Sequence, residues 1–394
     1  MKKTLLAAAL LAGFAGVAQA ETSVTLYGIL DTGIGYQNIR GVDGIDKQSK
    51  FGMLNGVQNG SRWGLRGSED LGDGLRAVFT IESGFNSGDG NSAQGGRLFG
   101  RQATIGLASN SWGQLDFGRQ TNVASKFFGS IDPFAEGFGM ANIGTVFSSS
   151  NTTRFDNMVL YQSPVFGGFQ VGAGYSFNID DTNSSQTSWN TNNNQRAITT
   201  GLRYVNGPLN LAAAYDQVNR STSVADADTT GGGDRIRAWL IGGAYDFEVV
   251  KVSAAYGQTK GGWIQATSLT GLFTSGSPDL NGPAAGNGSV LPTNTYSDDF
   301  KAQQWMLGVS APIGGATSVF GSWQRANVKD SSLYLAGSGA FAGEDSNMNV
   351  YSVGVTYDLS KRTNLYALGS YTNNYGFVDG LKSTLVGVGI RHRF

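Results

Sequence analysis

The stretch "SRWGLRGSED", residues 61–70, alternates with period two. Arg62, Gly64 and Arg66 fall on one face of an extended chain and Trp63 and Leu65 on the other. In a soluble sheet the tryptophan and leucine would enter the core and the arginines would meet water. In a barrel standing in a lipid bilayer the same alternation is inverted, with apolar side chains outward and polar ones facing a wet lumen. These residues alone leave both arrangements open, because they do not say which solvent lies on each side.

Composition narrows the choice. Charged residues make up 14% of the 394, against roughly 25% in an ordinary soluble domain, and 59 glycines are too many for a helical protein. Beyond the N-terminus no apolar run reaches the ~18 residues of a spanning helix. The N-terminus itself, "MKKTLLAAALLAGFAGVAQA", has Lys2 and Lys3, an apolar run from Leu5 and an Ala18-Gln19-Ala20 cleavage site. It therefore reads as a secretory signal peptide (residues 1–20) removed from a mature chain of residues 21–394. The two lysines leave with it, tipping 28 basic against 29 acidic residues slightly further to the acidic side. No basic stripe stands out, which argues against a nucleic-acid partner. An exported chain with no cysteine suits a bacterial envelope protein better than a disulfide-stapled secreted domain.

Alternation continues along the chain. Val171, Ala173, Tyr175 and Phe177 stand opposite Gln170, Gly172, Gly174 and Ser176; Tyr351, Val353, Val355 and Tyr357 stand opposite Ser352, Gly354 and Thr356. The small polar face has no evident large partner to interdigitate with, as a soluble core would need. Seven connections are short and mostly built from Gly, Pro or Asn: 71–74, 110–113, 164–168, 206–208, 247–249, 312–315 and 359–362. Eight longer polar segments alternate with them, near 37–59, 86–96, 122–153, 179–195, 218–233, 261–300, 329–346 and 374–382. Fifteen connections imply sixteen strands. The expected fold is an all-β, 16-stranded antiparallel transmembrane barrel, with short turns at one end and long loops at the other. Strand one, near Val24 to Tyr36, would close on strand sixteen, near Ser383 to Phe394, leaving no edge in lipid.

Several stretches together resemble the general diffusion porins of Gram-negative bacteria, most closely the beta-proteobacterial and neisserial type. They are "VTLYGILDTGIGY", "SRWGLRGSEDLGDGLRAVFTIESGF", "GRLFGRQATIGL", "GQLDFGRQ", "YQSPVFGGF" and the terminal Phe394. The resemblance implies a homotrimer of water-filled barrels in the outer membrane, among lipid and lipopolysaccharide, passing small hydrophilic solutes and ions without a cofactor. It also implies that the third loop folds into the lumen. "FFGSIDPFAEGFG", within 122–153, carries apolar residues that suit a loop packed against an inner wall.

By the same resemblance, Arg62, Arg101 and Arg154 match the basic side of a pore constriction, and Asp132 and Glu136 the acidic side given by the third loop. Alternation supports Arg62. Arg66 shares its face but lies near the turn at Leu71, in reach of the wider mouth. Arg101 alternates with Ala103, Ile105 and Leu107, so its face is not settled by pattern. Arg154 opens a strand and suits either the constriction or the rim. Asp132 and Glu136 could equally accept backbone N–H groups that shape the loop. Arg119 shares a face with Leu115 and Phe117, which is the outer one. An arginine facing lipid costs ~2–4 kcal/mol near the midplane, so it is expected at a subunit contact, paired with an acid such as Asp89 of an adjoining subunit.

Other classes fit less well. His392 is the single histidine and sits on an outward face, so a hydrolase barrel lacks its base; an enzyme is not expected. The acidic stretches "DADTTGGGD" and "YSDDF" lack the spacing of a calcium loop. An adhesin or structural barrel acting through its long loops stays open as the alternative.

Overall fold

The computed structural model describes residues 23–40, 47–179, 194–221, 235–264, 294–329, 346–377 and 379–394. The expected signal segment lies outside them. The strands are β1 (Ser23–Arg40), β2 (Gln48–Asn55), β3 (Arg62–Gly72), β4 (Leu75–Gly84), β5 (Gln102–Ser109), β6 (Gly113–Thr121), β7 (Arg154–Gln162), β8 (Phe169–Ser176) and β9 (Arg196–Asn206). They continue as β10 (Leu209–Asn219), β11 (Arg235–Asp246), β12 (Lys251–Trp263), β13 (Thr295–Ile313), β14 (Thr317–Lys329), β15 (Ser346–Asp358), β16 (Thr363–Asn373) and β17 (Lys382–Arg393). Neighbours in the barrel are antiparallel, and β17 pairs back on β1 from Ile29↔Arg393 to Arg40↔Lys382.

β2 and β3 lie along the same side of β1, β3 beside Ser23–Ile29 and β2 beside Thr32–Ile39. They are two pieces of one stave broken at residues 56–61. The barrel therefore has sixteen staves, as the connections imply, and all seven expected tight turns fall between consecutive strands.

Closure is completed by the last residue. Phe394 and Gly28 exchange both backbone hydrogen bonds at 3.1 Å. Its ring lies over Gly28, where an added Cβ would sit 2.2 Å from Phe394 Cζ. A glycine is needed there because the terminal ring takes the side-chain space. Along the seam of β1 and β17 the sheet is closed, while β2 pairs with β1 alone.

Exposure follows the inverted alternation. Val24, Leu26, Ile105, Val353 and Val388 are exposed, whereas Asp31, Gln120, Asp216 and Gln324 on the other face are fully buried. Toward the long-loop end, each stave from β11 to β16 turns one aromatic residue outward: Trp239, Tyr256, Trp305, Trp323, Tyr351 and Tyr371. Neighbouring rings touch, with centroids 5.5 Å apart for both Trp239–Tyr256 and Tyr256–Trp305. Such a girdle marks a membrane–water interface.

The third loop fills much of the lumen. It begins with a short helix, α1 (Val123–Phe128), whose cap is the Asn122 side chain accepting the Ser125 N–H at 3.2 Å. Phe127, Phe128, Ile131, Phe134, Phe138 and Ile143 are buried. They supply the large partner that the small inner face lacked in the sequence reading. At Gly172 and Gly201 an added Cβ would lie 3.0 and 2.8 Å from Val123; at Gly308 it would lie 2.3 Å from Pro133, and at Gly354 3.0 Å from Phe134. Wall glycines are sockets for loop side chains, so over part of its circumference the inner face is a packed core. Gln324 Nε2 donates to the Ala141 carbonyl at 2.7 Å, and Asn210 Nδ2 to Ser130 Oγ at 2.6 Å, tying the loop to two distant walls.

Candidate functional site

The register of β3 on β4 sets Gly64 opposite Glu82 and Arg62 opposite Gly84, so Arg62 and Glu82 share the lumen face. Glycine at 64 leaves the space the Tyr27 ring takes, where an added Cβ would lie 2.9 Å from its hydroxyl. Glu82 Oε1 lies 2.6 Å from Arg101 Nε and 3.9 Å from Arg62 Nη1, and Oε2 accepts the Tyr27 hydroxyl at 3.0 Å. Arg62 Nε also donates to the Gly60 carbonyl at 2.9 Å. Arg66, further toward the turn, lies over the Tyr27 ring at 5.6 Å. Trp63 is 37% exposed on the outer side, edge-on to Phe99.

Arg101 reaches this cluster because it precedes β5. The chain bends there, and its N–H donates to the Glu82 carbonyl at 3.2 Å. Its side chain thus escapes the outward parity of Ala103 and Ile105. Period-two reasoning could not have assigned it.

Glu136 approaches from the third loop. Ala135, Glu136 and Phe138 all have positive φ, at 50°, 54° and 59°. For non-glycine residues such backbone is strained, and it persists where surrounding bonds over-determine it. Asp132 provides those bonds: its carboxylate accepts the N–H groups of Phe134 (3.0 Å), Glu136 (2.9 Å) and Ile143 (3.0 Å). Glu136 Oε1 accepts the Ser150 hydroxyl at 2.8 Å. Burial and the Asp132 carboxyl push the Glu136 carboxyl well above its ordinary range, against the Ser150 hydrogen bond and Arg154.

Arg62, Arg101 and Glu136 meet around one polar cavity of about 180 Å³, with Gln58, Asn59 and Asn142 on its wall. Of the other two residues assigned to the constriction, Asp132 is 3% exposed and spends its carboxylate on the loop backbone. Arg154 stands behind the cavity, donating to the carbonyls of Arg101 and Thr152 at 3.0 Å each. Glu82 was missed. Its signal was present, a lone acid on the polar face of "FTIESGF" at a position that pairs with Gly64. Asp31 was missed as well. It accepts the Tyr366 hydroxyl at 2.6 Å and the Asn59 N–H at 2.7 Å, pinning the break between β2 and β3 that brings Asn59 to the cavity.

Arg119 takes the outer face, opposite Ala103, as its alternation implies. Its counter-charge is within the chain: Nη1 lies 2.5 Å from Asp156 Oδ1, and Nε donates to the Gly100 carbonyl at 2.7 Å. Arg97 Nη1 holds the same carboxylate at 2.7 Å. The expected need for an acid from another subunit is thereby corrected, because a bulge at Gly118 and a positive φ at Asn157 bring Asp156 to the same outer face. Asp89 instead accepts the Asn91 N–H of its own exposed loop at 2.9 Å. His392 Nδ1 is 2.8 Å from Thr363 Oγ1 at the exposed rim. Among the described residues no group of three or more metal-ligating side chains comes together; "DADTTGGGD" lies outside them.

Residues 7–376 match the family model for Gram-negative porins. The chain is 59% identical to an outer membrane porin protein of Bordetella pertussis and 32% identical to outer membrane porin protein 32 of Delftia acidovorans, in each case over the full length of both chains. Its fold is similar to that of an anion-selective porin from Comamonas acidovorans, with a TM-score of 0.68 at 26% identity, covering 95% of this chain and 100% of that one.

Proposed function

The chain belongs to the Gram-negative porin family, and from that premise we propose where its passage narrows and which ions it prefers. It is an outer-membrane porin, a closed barrel for passive diffusion of ions and small hydrophilic solutes. The narrowing is assigned to the cavity between Arg62 and Arg101 on the wall and Glu136 on the third loop. The convergence of these three side chains on one polar space of about 180 Å³ carries the reading. Passage there demands that a solute exchange hydration for fixed charges and amides, which small polar solutes can do and apolar ones cannot.

Anions are the favoured ions. Arg62, Arg101 and Arg154 at or behind the cavity outnumber Glu82 and Glu136, and Glu82 is already engaged by two of the guanidiniums. Replacing Arg62 and Arg101 together with Gln moves the reversal potential in a KCl gradient toward potassium. An unmoved potential refutes the assignment.

The assembly is a homotrimer in this reading. The outer face of β1–β6 forms the subunit contact, with Arg119 placed there by its Asp156 and Arg97 knot. R119A weakens the trimer band in unheated gels; an unchanged band removes Arg119 from the contact. Residues 1–20 act as the cleaved export signal, checked by N-terminal sequencing of the mature protein.

A further inference from the structure

One wall of the cavity is not strand. Residues 56–61, between β2 and β3, cross it, and Gln58 and Asn59 line its polar space. The two ends of this segment are anchored on one carbonyl of β1: the Gly56 N–H donates to the Asp31 oxygen at 3.1 Å and the Ser61 hydroxyl donates to it at 2.9 Å. Its middle is held by side chains from the other end of the chain. Arg391 Nη1 donates to Asn59 Oδ1 at 2.5 Å, and Arg391 Nε donates to Asn364 Oδ1 at 3.0 Å. Asn364 Nδ2 in turn donates to Gln58 Oε1 at 2.9 Å.

The relay crosses the seam of the barrel. Arg391 stands opposite Asp31 of β1 on one side and Asn364 of β16 on the other. Arg391 and Asn364 are not among the residues around the cavity, so they act on it through Asn59 and Gln58. Donor counting sets the direction. A guanidinium carries donors and no acceptor, so it can take only the oxygen of each amide it meets. Asn59 therefore turns Oδ1 toward it. Asn364 does the same, which leaves Asn364 Nδ2 for Gln58, and Gln58 must answer with Oε1. Both cavity amides thus direct their oxygens away from the passage, and among the described residues neither Asn59 Nδ2 nor Gln58 Nε2 has an acceptor. Those N–H groups are what the amides have left for a solute.

We infer that Arg391 is a specificity-determining positioning residue, which orients the Asn59 and Gln58 amides so that the narrowing offers N–H donors to anions and to the oxygen atoms of polar solutes. The inference rests on the anion preference proposed above and adds to it a contribution that carries no net charge. Two amide dipoles present their positive ends beside Arg62 and Arg101, already oriented when the ion arrives, so no reorganisation opposes its entry. Without the donor-only group at 391 the same amides are free to turn and to offer oxygens to cations.

The test is N364L in the full-length protein, which cuts the relay to Gln58 without changing any charge. In planar bilayers under a KCl gradient, the chloride-to-potassium permeability ratio should fall roughly twofold to threefold, the low end of what one hydrogen bond contributes. Q58L removes the end of the same relay and should fall by as much. N364L/Q58L should fall no further, because the two changes remove one interaction, whereas a general loosening of the wall would add. R391M, which frees both amides and removes a charge, should fall further than N364L. The heat shift on gels is the folding control, and Q58L reads the same relay should N364L fail to fold. A wild-type ratio in folded N364L or Q58L, additive losses in the double variant, or an R391M ratio no lower than that of N364L overturns the proposal and leaves the anion preference standing. A wild type that favours potassium overturns that preference and this proposal with it.

Discussion

At a pH above the raised titration of its carboxyl, Glu136→Gln removes one negative charge from the proposed constriction while leaving an oxygen that can accept the Ser150 hydroxyl. The size of its effect follows from the cavity. A volume of about 180 Å³ is that of a sphere of roughly 3.5 Å radius, so an ion at its centre passes about 5 Å from a wall charge. A unit charge at that distance in water is worth ~0.8 kcal/mol, and physiological salt roughly halves it. Anions gain what cations lose, so the two add to about 0.9 kcal/mol, a fourfold to fivefold rise in the anion-to-cation permeability ratio. Reversal potentials in planar bilayers under a KCl gradient measure it directly, with the heat shift on gels as the folding control. A variant that folds normally and shows no shift, or shifts toward cations, would place Glu136 outside the ion path and refute the reasoning.

Three further outcomes follow from the same geometry. Because burial raises the Glu136 carboxyl, it takes up its proton above the ordinary carboxylate range as pH falls; anion preference should climb through that step in the wild type and be flat there in E136Q, as reversal potentials read at successive pH values. Asp132→Asn leaves at least one of three backbone N–H groups without an acceptor, at about 1–3 kcal/mol; the strained loop tip loosens, and noise analysis of single-channel current should show added fluctuation, steady current counting against a structural role for Asp132. Gly28→Val drives a side chain into the Phe394 ring and to within 2.8 Å of the Arg62 carbonyl; the folded, heat-modifiable fraction should fall sharply, and normal yields would show that closure does not depend on that ring.

The barrel was legible because its constraints are local. Tight reversals need Gly, Pro or Asn, and a sheet between lipid and water must alternate, so the turns at 71–74 and 312–315 and the outward Val353 and Val388 could be read from pattern alone. The candidate site was legible only in part. Arg62 opens β3 and obeys its alternation, whereas Arg101 sits at a bend before β5 and does not. Asp132 and Glu136 lie four residues apart in one loop, and nothing in that spacing tells which carboxylate turns back to the backbone; the three positive-φ residues around them decide it. Glu82 and Asp31 act through partners far away in sequence: Tyr27 is brought near by the registers of β1 on β3 and β3 on β4, and Tyr366 only by barrel closure. The wall glycines read as a small, wet face, and proved to be sockets only once the loop aromatics were seen in them.

The sign of the wild-type reversal potential across a KCl gradient, recorded from single channels in a planar bilayer, is the most direct measurement of the central claim that ions cross this barrel past an arginine-rich constriction. The predicted potential is displaced toward the chloride equilibrium value. A silent bilayer, or a potential displaced toward the potassium value, would contradict it.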